Sequence, residues 1–160
     1  MSLPAGRQAR RSASMSFADN KRARFDYEIL ETLQGGLVLS GQEVKSIRAG
    51  RASLAGAFVT LKAGEAFLTN ATIPAWQPKN APPDYNDTRS RKVLVQKKEL
   101  SWLVGKLAQR HLTAIPLRLY SVRGKIKVEI GIAKHRKKMD KREVIKKRES
   151  EREIKRHLKM

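Results

Sequence analysis

Arg123-Gly124 followed by Lys125-Ile126-Lys127-Val128-Glu129-Ile130-Gly131-Ile132 is the stretch that decides the fold. Ile126, Val128, Ile130 and Ile132 alternate with Lys125, Lys127 and Glu129. A period of two sends successive side chains to opposite faces of a strand, so one face is buried and the other solvated. Arg123-Gly124 is a two-residue turn, and Leu117 to Ser121 ahead of it forms the other arm of a hairpin.

The same pattern recurs upstream. Ala57 to Lys62 and Glu65 to Asn70 flank Ala63-Gly64 and make a second hairpin. Arg91 to Gln96 is a further strand. Phe25, Tyr27, Ile29 and Leu33 alternate with Asp26, Glu28 and Thr32, which places both aromatics in the core. Leu30 and Glu31 fall on the wrong faces of that strand. Gly35-Gly36 is a turn or bulge, and Leu37-Val38-Leu39 the next short strand. Pro74 to Thr88, with four prolines and two asparagines, reads as a long surface loop.

Two helices interrupt the strands. Ser40-Gly41-Gln42-Glu43 is a capping box, in which the serine hydroxyl accepts from the N3 amide and the glutamate returns the bond. Val44 and Ile47 then face the core, Lys45 and Arg48 lie on another face, and Gly50 ends the helix. The second helix spans about Lys97 to His111, with Leu100, Leu103, Val104 and Leu107 on one face and Trp102 packed beside them. His111 closes it as a cation against the helix dipole. Many short strands with two helices predict a mainly β domain, a small antiparallel barrel without free edges.

Charge divides the chain differently. The formal net charge is +20 and the pI about 10.8, a balance that calls for a polyanionic partner. Residues 1–24 hold 6 basic and 1 acidic side chains, residues 25–133 hold 16 and 9, and residues 134–160 hold 13 and 5. The expected organisation is a flexible arm over 1–19, an RNA-binding β-barrel over 20–133 and a basic tail over 134–160. Arg7, Arg10, Arg11 and scattered serines faintly resemble a transit peptide, but short basic arms are common in RNA binders. No apolar run is long enough to cross a membrane. There are no cysteines, which excludes disulfides, zinc knuckles and cysteine nucleophiles and fits a cytoplasmic setting.

Catalysis lacks a signature. His111, His135 and His157 are the only histidines, and no pair has metal-ligand spacing; no nucleophile elbow or phosphate loop is present. The expectation is no enzyme, no cofactor and no metal. Lys134, Arg136, Lys137 and Lys138 are four cations in five residues. Their mutual repulsion is relieved by a phosphate backbone, which releases counterions. Only nine aromatics are available, and none lies on the exposed side of the 125–132 strand, where Lys125 and Lys127 stand. Such a surface suits the backbone and shape of a folded RNA more than base stacking. A ribosomal or initiation-type barrel that binds rRNA, and a nuclease, are the rival readings at this level.

Several strings carry a family likeness. They are Asn20-Lys21-Arg22-Ala23-Arg24 with Asp26-Tyr27, then Gly41 to Gly50, Arg89 to Leu94, and Pro116-Leu117 with Tyr120. Lys127 to Lys134 and Asp140-Lys141-Arg142-Glu143 complete them. In this order, over about residues 18–150, the sequence resembles the SmpB family, the SsrA-binding proteins of bacterial trans-translation. The resemblance implies a barrel of the oligonucleotide-binding type with two or three flanking helices. It also implies a partner, transfer-messenger RNA, whose missing anticodon arm the protein replaces. The tail would enter the decoding centre and empty mRNA channel of a stalled ribosome, against 16S rRNA, so that the ribosome is rescued and its product tagged. Elongation factor Tu would join through the RNA complex; no membrane is involved.

Carried over by position, Asn20, Lys21, Arg22, Lys45, Arg48, Leu94 and Lys134 are the expected transfer-messenger RNA contacts, with Arg91, Lys92, Lys125 and Lys127 beside them. Lys137, Lys138, Met139, Asp140, Lys141 and Arg142, followed by Lys146, Lys147 and Arg148, are the expected ribosome contacts. The sequence departs from the family pattern at Gln34, where a carboxylate is usual, and at Met139, where a stacking His or Tyr is usual. Residues 1–17 fall outside the likeness, and Met15 is an alternative start. Taken alone, the tail has few apolar residues and two favourable i, i+4 pairs, Glu143–Lys147 and Glu151–Lys155. Such pairs stabilise a helix by only ~0.2–0.5 kcal/mol each, so the tail is expected to be disordered when free and helical when bound.

Overall fold

The computed structural model describes residues 16–158, apart from the side chains of residues 138–140. Of the arm expected over residues 1–19, residues 1–15 lie outside the described residues. The elements in order are β1 (Ser16–Asp19), α1 (Lys21–Asp26), β2 (Tyr27–Leu37), α2 (Gly41–Arg48), β3 (Phe58–Lys62) and β4 (Glu65–Thr69). They continue as β5 (Arg91–Leu94), α3 (Lys97–Leu107), β6 (Leu112–Val122), β7 (Lys125–His135) and α4 (Lys138–Leu158). All strand pairs are antiparallel. The sheet runs β1-β6-β3-β4-β5-β2-β7, and pairing of β6 with β7 closes six of these strands into a ring. β1 adds to the edge of β6 that it shares with β3.

Both hairpins form where the sequence places them. Ala63 and Gly64 have φ of 52° and 73°, and Arg123 and Gly124 have 52° and 77°. Positive φ at both central residues matches the right-handed twist of the flanking strands, and glycine at the second position accepts it without a Cβ clash. Gly35-Gly36 is no turn: β2 runs through both, so Leu37 belongs to that strand. A Cβ on Gly35 would stand 2.7 Å from Val93 Cγ1, so the glycine is what lets β2 lie close over the β5 side chains.

The irregular alternation of the first long strand has a structural cause. Ile29 pairs with Ala133 and Glu31 with Ile132, leaving Leu30 as the extra residue of a bulge. Phe25, expected in this strand, lies instead in α1 and is half-buried. Tyr27 is also half-buried, its ring edge-on to His135 at 5.1 Å.

The core lies inside the ring, with Leu33, Leu68, Leu119, Val128, Ile130 and Ile132 at 2% exposure or less. Ile47 of α2 and Leu103 of α3 cap it from the sides, and Trp102 packs there as expected. Val104, expected on the buried face of α3, is 46% exposed. The buried face of α3 is turned instead to Glu99, Trp102 and Leu103, and the Glu99 carboxylate accepts there from the Gln96 amide at 3.1 Å. α3 stops at Leu107 rather than His111, and a tight turn in which the Leu112 amide donates to Gln109 O at 3.2 Å leads directly into β6.

The domain is longer at both ends than 20–133. β1 brings residues 16–19 into the sheet, and β7 continues through Lys134 and His135, paired with Glu28 and Tyr27. The tail, expected to be disordered alone, is a 21-residue helix from Lys138. Its good propensity is supplemented at the root, where Lys141 meets Asp26 of α1. Beyond Val144, which is half-buried, its apolar residues stay in solvent, with Ile154 59% and Leu158 80% exposed.

Candidate nucleic-acid interface

The geometry of the RNA-facing candidates starts at the N-terminus of α2. Ser40 Oγ accepts from the Glu43 amide at 3.3 Å, and Glu43 Oε1 accepts from the Ser40 amide at 2.9 Å. The capping box therefore forms as the sequence predicts, but Glu43 does more than close it. Its carboxylate is fully buried and receives Arg89 Nη2 on one oxygen and Arg91 Nε on the other. Arg91 Nη1 donates to Ala71 O at 2.8 Å and to Arg89 O at 3.1 Å, and Nη2 donates to Asp87 O at 2.9 Å. Burial alone would raise the Glu43 pKa. The hydrogen bonds from Arg89, Ser40 and Arg91 outweigh it and hold the carboxyl below its ordinary 4.5.

Arg91 is thus removed from the expected RNA contacts. It is fully buried with its donors directed inward, and it fastens β5 and the 71–89 loop to α2. Tyr85 assists by donating its hydroxyl to Ile73 O at 2.6 Å. The long Pro74–Thr88 stretch is a surface loop, as expected, but one pinned from beneath.

With α2 held this way, and Ile47 fully buried beneath it, Lys45 and Arg48 are left exposed. Arg48 Nη2 donates to Gly124 O at 2.8 Å across to the β6–β7 turn. Between α2 and that turn lies a groove lined by Leu37, Leu39, Val44, Leu94 and Ile126 together with Arg48, Lys125 and Lys127. Leu94 is 50% exposed and Val38 47%. Four expected contacts, Arg48, Leu94, Lys125 and Lys127, therefore meet at one site. Alternation along β5 turns Lys92 and Leu94 outward, and Lys92 Nζ lies 3.0 Å from Glu65 Oε1. Gln34 sits on β2 opposite Glu129 and is half-buried.

The second group lies around α1. Lys21 and Arg22 are exposed there. Asn20 is not: its Oδ1 caps α1 by accepting from the Ala23 amide, and its Nδ2 donates to Leu54 O at 3.2 Å and Pro116 O at 2.9 Å. At 6% exposure Asn20 shapes the surface and does not present itself on it. Arg22, Tyr27, Phe58 and Thr113 line a cleft beside this helix. Lys134 is exposed at the end of β7, and Lys137 just past it.

On α4, Arg142, Lys146, Lys147 and Arg148 are exposed, while Lys141 is half-buried against Asp26. The side chains of Lys138, Met139 and Asp140 lie outside the described residues. Glu129, expected to face solvent, is buried and paired with Arg118 at 2.6 Å. Both internal ion pairs escape sequence reading. The partners are 48 and 11 residues apart: Glu43 and Arg91 meet where α2 packs over β5, and Arg118 and Glu129 face each other across the β6–β7 hairpin.

Among the described residues no cluster of three or more His, Cys, Asp or Glu is placed to hold a metal. Among them, too, no helix is long and apolar enough to cross a membrane. What the surface offers is cations around one apolar groove, beside a second cleft of mixed lining and along a projecting helix, an arrangement that fits a phosphate backbone with a few base or sugar contacts.

Comparison with known proteins agrees. The family model described as SmpB protein matches residues 17–160. The SsrA-binding protein of Thermosynechococcus vestitus is 45% identical over 142 residues, which cover 89% of this chain and 93% of that one. The SsrA-binding protein of Coprothermobacter proteolyticus is 49% identical over 140 residues, covering 87% and 93%. A solved structure described as "tmRNA-SmpB: a journey to the center of the bacterial ribosome" contains a chain with a TM-score of 0.63 and 43% identity, covering 75% of this chain and 84% of that one. With its ring-shaped sheet, its flanking helices and these relatives in agreement over nearly its whole length, the chain belongs to the SmpB family.

Proposed function

We propose that this chain binds the tRNA-like part of transfer-messenger RNA and brings it to stalled ribosomes, where the nascent product is tagged and the ribosome freed. The observation that carries the reading is the groove in which Arg48, Lys125 and Lys127 surround an exposed Leu94, on the chain of a family named for SsrA binding. Cations there meet phosphates, and the apolar floor takes the face of a sugar or an unstacked base. Lys21, Arg22 and Lys134 extend the cationic surface around the domain.

The helix α4 has a separate task. Its exposed Arg142, Lys146, Lys147 and Arg148 suit the rRNA phosphates lining the mRNA channel and decoding centre of the small subunit. The tail thereby reports that the channel is empty. Elongation factor Tu joins through the RNA. The protein performs no chemistry of its own and works where ribosomes are, in the cytoplasm.

Truncation after Asp140 separates the two tasks. It leaves every strand in place, so the domain stays folded and still binds transfer-messenger RNA, with a loss of ~1–2 kcal/mol of diffuse attraction. Tagging of a stalled chain in a reconstituted reaction falls to background. Normal tagging by the truncated protein would refute the channel-sensing role.

A further inference from the structure

The turn that ends α2 and the Pro74–Thr88 loop meet at one pair of side chains. Gly50, with φ of 75°, takes the left-handed conformation that closes a helix, and the Arg51 amide donates back to Ser46 O at 3.1 Å. Two residues on, Ser53 and Thr72 exchange backbone hydrogen bonds of 2.8 and 2.9 Å, which fasten the segment after α2 to the residues leading into the loop. The loop is held to α2 again where the Gln77 amide donates to Gln42 Oε1 at 2.9 Å. Trp76 stands between these two fastenings. The guanidinium carbon of Arg51 lies 4.7 Å over the centre of its ring, and Arg51 Nη1 donates to Trp76 O at 3.3 Å. Arg51 is nonetheless exposed, and its Nε and Nη2 have no partner among the described residues.

We propose that Arg51 binds a backbone phosphate of transfer-messenger RNA, and that Trp76 is the positioning residue that holds its guanidinium ready. The proposal rests on the function proposed above and adds a contact to it. Lys45, Arg48 and Arg51 follow one another at three-residue intervals and all are exposed, so the cationic face of α2 continues past its C-terminal turn. Among the described residues none of the three pairs with a carboxylate. A flat guanidinium can lie on an aromatic face and still offer an edge of two parallel donors, which matches two oxygens of a phosphate. In Arg51 the Nη1 is turned to the loop, and the Nε–Nη2 edge is left for that task. A free arginine gives up rotamer freedom when it binds, whereas a stacked one is already ordered. Continuity with Arg48, which lines the neighbouring groove, assigns the phosphate to the RNA bound there.

The test uses the full chain and transfer-messenger RNA, with filter binding over a salt series and ethylation interference to map the phosphates whose alkylation blocks binding. Arg51→Ala is expected to lower affinity about fivefold to tenfold, to reduce the log–log salt slope by about 1, and to erase one interference position while the others stay. Trp76→Leu keeps the charge but frees the guanidinium, so affinity falls about threefold with the salt slope unchanged. Trp76→Tyr retains an aromatic face and stays within about 1.5-fold of the unmutated chain. Arg51→Ala removes only an exposed hydrogen bond, so its melting temperature stays within about 2 °C and it carries the test even where Trp76→Leu melts early.

An unchanged interference map or an unchanged affinity in Arg51→Ala would overturn the proposal. Unchanged RNA binding together with slower tagging in a reconstituted reaction would overturn it too, by moving the phosphate to the ribosome. Binding by a folded Trp76→Leu equal to that of the unmutated chain would refute the positioning role of the ring. Failure of the unmutated chain to prefer transfer-messenger RNA over an unrelated RNA of equal length would overturn the functional reading, and this partner with it.

Discussion

Glu43 shows how one residue serves two levels of structure. In the sequence it is the third residue of a capping box, a local device that starts a helix. In the folded domain the same carboxylate neutralises Arg91 with both partners fully buried. Removing one partner of such a pair leaves an unpaired buried charge and costs about 3–5 kcal/mol. Glu43→Gln is therefore expected to lower stability by that order. It should also change the acid dependence. The Glu43 pKa is depressed in the folded state, so its stabilisation is present above the ordinary 4.5 and is lost as pH falls through the lower folded value. Urea melts between pH 7 and pH 3 should show a steeper loss below about pH 4.5 in the unmutated chain than in Glu43→Gln. Equal slopes would mean that other carboxylates carry the acid sensitivity.

α2 divides its faces between folding and binding. Ile47 is fully buried and Val44 half-buried in one direction, while Lys45 and Arg48 face solvent in the other. Lys45→Ala with Arg48→Ala is expected to leave melting nearly unchanged, since the Arg48 bond to Gly124 is exposed and worth at most ~1 kcal/mol. The same pair should weaken RNA binding and reduce the salt slope by about 2, one for each phosphate that is no longer neutralised. Ile47→Asp should unfold the domain, because a charge there has no partner. Filter binding and thermal melting on both variants decide the matter; comparable loss of fold in the two would show that Lys45 and Arg48 also carry stability.

The whole molecule is a closed, mildly basic domain with a cationic helix projecting from it. If its cations meet phosphates, log affinity for transfer-messenger RNA should fall linearly with log salt. With roughly 5–8 phosphates neutralised, the slope should lie between about −3 and −7. A nearly flat dependence would remove the backbone-contact model and leave the apolar groove as the main source of affinity. The same long-range charge speeds encounter with a ribosome whose surface is largely phosphate.

The two hairpins with their turns, the capping box and the ends of α2 were legible because their causes are local, whereas β1 and the unbroken run of β2 through Gly35-Gly36 were not. Alternation, turn glycines and a serine three residues before a glutamate act within a few residues of themselves. The cationic tail and its polyanionic partner were equally legible, since charge needs no fold to be counted. What only the tertiary structure decided is which polar residues remain on the surface. Arg91, Asn20 and Glu129 look like surface residues in the chain, yet each is buried by partners distant in sequence: a helix carboxylate for Arg91, the Leu54 and Pro116 carbonyls for Asn20, and the facing Arg118 for Glu129. The bulge at Leu30, the extension of the sheet to Ser16 and His135, and the Asp26–Lys141 ion pair belong to the same class. They follow from closing the ring, because closure brings β2 and α1 against the end of β7 and the root of α4, and no local pattern encodes that meeting.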